Sequence, residues 1–96
     1  MIVVPLLQLA EHAVFDDTDE AGVILDTQHG LFLTLNAVAT LMLQAGLRYN
    51  SLDEALSHLR QRIDASDNTL ISGFHALKNQ LDERTLLAPE EQKGIP

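Results

Sequence analysis

The chain contains no cysteine, which excludes a disulfide framework, a thiolate metal site and a cysteine nucleophile. A reducing compartment suits such a chain, and a cytoplasmic location is the expectation. No apolar stretch approaches the eighteen or more residues that a membrane span requires, so no membrane partner is expected. The apolar opening, residues 1–10, has no Lys or Arg ahead of it and contains Pro5 and Gln8. It reads as part of the mature protein rather than as a signal peptide.

Basic residues are scarce, and none precedes Arg48. Residues 1–47 carry Glu11, Asp16, Asp17, Asp19, Glu20 and Asp26 with no counter-charge, a net −6 out of −8 for the whole chain. Affinity for nucleic acid comes largely from Lys and Arg at phosphates, so this balance opposes DNA or RNA and favours a basic or neutral partner. Chemical signatures are missing too. The four histidines, His12, His29, His58 and His75, never fall three or four residues apart, so no metal site is expected. The run Asp16, Asp17, Asp19, Glu20 lacks the glycine and closing glutamate of a calcium loop and reads as a solvated acidic turn. There is no phosphate-cradling glycine loop and no nucleophile elbow, hence no catalytic residue and no cofactor to assign.

The 96 residues fit one domain. Three short apolar runs, Ala13–Phe15, Gly22–Leu25 and Leu31–Leu35, alternate with turn-formers and predict three strands. Connections of about five residues are too short for parallel crossovers, so the strands form an antiparallel meander in the order 1-2-3. After Leu35 the period becomes helical. Asn36 caps a helix carrying Val38, Leu41, Met42 and Ala45, with Gly46 as its stop. Ser51 to Glu54 spells a capping box ahead of Leu52, Ala55, Leu56, Leu59 and Ile63. Ser66 or Asp67 caps a third helix with the stripe Leu70, Phe74, Leu77 and Leu81; Thr85 to Leu87 pack back and Pro89 blocks continuation. The expected fold class is α+β, a winged helix-turn-helix-like domain over residues 12–88, with an arm at 1–11 and a tail at 89–96.

One edge of this sheet is undefended. Strand one is flanked by Glu11, Asp16 and Asp17, whereas Leu31, Phe32, Leu33 and Thr34 offer neither charge nor proline. Either the chain's own Ile2–Val4 pairs with that rim, or a partner's extended segment completes the sheet. A second stripe on helix three, Ile71, His75, Lys78 and Asp82, lies beside the core stripe. If helix three flanks strand three, Ile71 and Phe74 hold an apolar anchor and Lys78 meets an acid of the incoming strand. The equally available reading is an ordinary solvated helix face.

The string Gly22 to Asp26, then Gly30 to Thr40 with its junction Leu33-Thr-Leu-Asn36, then Leu77, Leu81 and Thr85 to Leu87, resembles the PqqD-like family. These are precursor-peptide recognition elements for ribosomally made, modified peptides. The likeness covers about residues 12–88. The chain departs from the pattern at Leu33, where an aromatic is common, at Thr85, where glycine is usual, and at Gly73, where an acid is usual. The resemblance implies a non-catalytic domain that binds a leader peptide as an added strand between strand three and helix three and delivers the precursor to separate enzymes. In length it is most similar to the leader-binding protein of lasso-peptide systems, which works with a cysteine protease-like leader peptidase and a cyclase. It is less like the pyrroloquinoline-quinone member. The rival classes are a winged-helix DNA-binding regulator, for which helix three has only Lys78 and Arg84 against Asp67, Asp82 and Glu83, and a dimer pairing its own third strands.

Overall fold

The computed structural model describes residues 5–88. Strands β1 (Ala13–Asp16), β2 (Val23–Asp26) and β3 (Leu31–Thr34) precede helices α1 (Ala37–Arg48), α2 (Leu52–Arg60) and α3 (Asp67–Glu83). The sheet is antiparallel in the order β1-β2-β3, as the short connections required. Asp26 pairs with Leu31 across the β2–β3 turn, where Gly30 takes φ +68°, a left-handed value that glycine adopts without steric cost. Leu7, Ile24, Leu43, Leu59, Leu70 and Leu81 form the centre of a core shared by the arm, the sheet and all three helices.

Asn36 caps α1 by accepting from the Ala39 amide at 2.8 Å. The helix then runs through Gly46 to Arg48, so Gly46 is not a stop. It is a contact point: a Cβ there would strike the Leu7 side chain and the Phe74 ring. The segment before β1 thus lies against α1, with the Leu6 and Leu7 amides donating to the Tyr49 and Gly46 carbonyls at 2.9 Å each. The capping box also fails to form. Ser51 precedes α2 but makes no side-chain cap hydrogen bond among the described residues, and Ile63 packs on the core from beyond the helix end. At α3, Ser66 rather than Asp67 is the cap, accepting from the Thr69 amide at 3.2 Å.

The far end of α3 closes in a two-bond reversal. The Leu86 amide donates to the Leu81 carbonyl at 2.9 Å and the Thr85 amide to the Asp82 carbonyl at 3.0 Å. Thr85 occupies the left-handed position of this motif with φ 56°. A β-branched residue is strained there, which explains why glycine suits the position. Past the reversal, residues 86–88 pair with the arm: the Ala10 amide donates to the Leu86 carbonyl and the Ala88 amide to the Gln8 carbonyl, both at 2.8 Å. The suggested partner strand Ile2–Val4 and the tail at 89–96 lie outside the described residues.

Candidate functional site

Every second residue of an edge strand turns its backbone groups away from the sheet, and two hydrogen bonds fix which ones do so. The Leu35 amide donates to the Gly22 carbonyl at 2.8 Å. With the register Ile24 to Leu33 and Asp26 to Leu31, this phase directs the Leu31 and Leu33 backbone groups toward β2. Phe32 and Thr34 therefore present their N–H and C=O groups at the rim, and no partner among the described residues takes them. On the opposite edge the Thr27 amide, donating to His12, sets the phase, and the outward Ala13 amide is already bonded to the Ala10 carbonyl at 3.0 Å.

The same alternation sends Leu31 and Leu33 to the helix side of the sheet. There, a concavity of about 260 Å³ opens between β3 and the reversal after α3. Ile24, Leu31, Leu33 and Leu86 give it mostly apolar walls, Phe32 borders it from the strand edge, and Asp26, His29 and Arg84 stand at its polar margin. The backbones of α3 and β3 stay more than 8 Å apart, Cα to Cα. A further strand hydrogen-bonded to β3 would lie about 4.8 Å from it.

The β2–β3 turn that borders this cavity is organised by Asp26. Its Oδ1 accepts from the Gln28 and His29 amides at 3.0 and 3.1 Å, and its Oδ2 lies 2.8 Å from His29 Nδ1. Burial pushes the Asp26 carboxyl up, but the His29 ring, the His29 amide and the Gln28 amide together outweigh it and hold the group below the ordinary aspartate value. Arg84 has no ion-pair partner among the described residues. A guanidinium at this margin is of the kind that pairs with a carboxylate in a bidentate fork. No three His, Cys, Asp or Glu residues cluster in metal-binding range among the described residues.

Of the residues singled out in the sequence, Leu31, Phe32 and Leu33 come together at this cavity, while Thr34 is exposed on the strand edge and does not line it. The α3 residues are placed differently. Phe74 is buried in the core, with its ring beside Gly46. Ile71 is half-buried against the core, Lys78 is half-buried, and His75 is exposed with its ring 6.5 Å from that of Phe74. None of the four lines the cavity, whose helical wall comes from Arg84 and Leu86. Arg84 is the C-cap of α3 and the left-handed turn at Thr85 delivers Leu86 beside it; the Thr85 departure from glycine is the trace of that turn in the sequence. Asp26 and His29, which the sequence marks only as an acid and a histidine, also border the cavity, and Asp four residues before Gly30 is a turn-capping arrangement.

A three-stranded antiparallel meander in the order β1-β2-β3, followed by three helices, defines a winged helix-turn-helix-like class of small domain. The chain shares this fold with two solved proteins. One is TbiB1 in complex with the TbiA(beta) leader peptide, with a TM-score of 0.74 and 17% identity over 88% of this chain and 98% of that one. The other is a lasso peptide synthetase B1 complexed with the leader peptide, with a TM-score of 0.75 and 24% identity over 88% of this chain and 99% of that one. No family model matches the chain, and no curated protein matches it either.

Proposed function

We propose that this chain is a non-catalytic adaptor that binds the leader region of a ribosomally made precursor peptide and presents it to a modifying enzyme. The system is that of a lasso peptide, the enzyme a cysteine protease-like leader peptidase, and the location the cytoplasm. The observation that carries the reading is the bare rim of Phe32 and Thr34 beside a cavity with mostly apolar walls. The leader adds as a fourth strand on β3. Its backbone bonds to Phe32 and Thr34, one apolar side chain enters between Leu31, Leu33 and Leu86, and an acidic residue meets Arg84. Ile71, His75 and Lys78 serve as the outer lip of the cleft, with Phe74 supporting them from the core. Support comes also from the shared fold with two proteins solved with leader peptides bound.

The test is titration with the leader segment of the precursor encoded beside this chain, followed by fluorescence anisotropy. The expected Kd is about 1 μM or lower, a free energy of roughly −8 kcal/mol. Hydrogen exchange at the Phe32 and Thr34 amides should slow on binding. Absence of binding up to about millimolar peptide, the −4 kcal/mol level, removes the reading.

A further inference from the structure

The outer face of the sheet, turned away from the helices, carries a second feature. The register sets Val14 opposite Leu25 and Leu25 opposite Phe32, one side chain from each strand in a single row. These three are 50%, 43% and 67% exposed, and nothing among the described residues covers them. At the strand spacing the row runs about 10 Å across the sheet. The neighbouring row is Asp16, Val23 and Thr34, and beyond it the β1–β2 turn brings Asp17, Asp19 and Glu20. The face is thus an apolar bar bordered at one end by four acids. Apolar patches with polar margins on small domains mark contact surfaces.

We infer that this face docks the enzyme that processes the peptide held on β3, through an apolar patch of that enzyme flanked by Lys and Arg; the inference rests on the adaptor reading above. Two observations select this occupant. The border is acidic, within a half-chain of net −6, and a second copy with the same border and a total of −8 meets it with like charge. Continuity is the other. Phe32 projects its ring onto the outer face and its backbone onto the rim, so an enzyme seated on the bar lies directly beside the added strand. Docking there leaves the helix-side cavity undisturbed.

The test uses the leader peptidase encoded beside this chain, the full-length chain, and the variants Leu25→Asp and Leu25→Thr. The second keeps a strand-forming side chain and guards against loss of fold, and thermal melts verify both. Peptidase binding by the leader-loaded protein should weaken about tenfold or more in each variant. It should also weaken when salt rises from about 0.1 to 1 M, which shortens the screening length from about 10 to about 3 Å. Leader anisotropy should be unchanged. Unaltered peptidase binding in folded variants that still hold leader overturns this inference and leaves the adaptor reading intact. So does a parent that holds leader without binding the peptidase, or a dimer in sedimentation that Leu25→Asp dissociates. A parent that binds no leader overturns the adaptor reading instead.

Discussion

The two edges of the sheet are built from equally short strands yet treated oppositely. At β1 the outward Ala13 amide is already bonded to Ala10, the outward groups of Phe15 have no partner among the described residues, and Glu11, Asp16 and Asp17 place charge on and beside the strand. At β3 the outward groups of Phe32 and Thr34 are unmatched among the described residues, and the strand carries no charge. Natural sheets protect edges against unwanted pairing, so an edge without charge beside one that carries it is the contrast on which the proposed strand addition at β3 rests.

Proline distinguishes rim from ladder most sharply. Leu33→Pro removes an amide that faces Ile24 and truncates a half-buried side chain, so it should cost about 3 kcal/mol of stability. A melt should then fall by more than about 10 °C. Thr34→Pro, one residue on, removes an amide that faces outward and should leave the melt within a few degrees. Leader affinity should nevertheless fall about tenfold or more, as a backbone bond is lost and the ring crowds the incoming strand. Equal melts for the two variants would refute the assigned ladder phase.

Smaller effects sharpen the contrast at the cavity wall. Thr85→Gly should stabilise the protein by about 1 kcal/mol by relieving the left-handed strain, with leader affinity within twofold. Chemical denaturation and anisotropy read the two quantities. The smallest effect is in the turns. Asp26, with its carboxyl held below the ordinary value of about 3.9, adds stability above that pH and loses it as pH falls through its lower folded value. Asp26→Asn should therefore flatten the acid limb of a stability–pH curve below about pH 4. Asp16, lowered chiefly by the Thr18 hydroxyl and amide, acts with the same sign at the exposed end of β1, away from the cavity.

Strand and helix positions were legible because local patterns determine them: alternation in the meander, the Asn36 and Ser66 caps, and the stripe Leu70, Phe74, Leu77 and Leu81. Gly46 was misread because its meaning lies in Leu7, a residue remote in sequence that rests against it. The Ser51 box shows that a favourable string offers a cap without obliging the hydroxyl to take it. At the site, the uncharged rim was visible, but the phase that exposes Phe32 and Thr34 in place of Leu33 needed the pairing itself. Arg84 and Leu86 were hidden for a similar reason. Arg84 is the cap that ends α3, and the left-handed residue after it turns Leu86 off the line that a helical stripe continued past Glu83 would follow.

The cross-links between Ala10 and Leu86 and between Ala88 and Gln8 carry a practical consequence for transplantation. Leu86 is a cavity wall, and its backbone is anchored by a stretch that precedes the whole meander. Any graft of this unit onto an enzyme must bring residues 5–10 along. A trimmed version starting at β1 would keep every rim atom and still grip its guest poorly, its far jaw having lost the hinge pin.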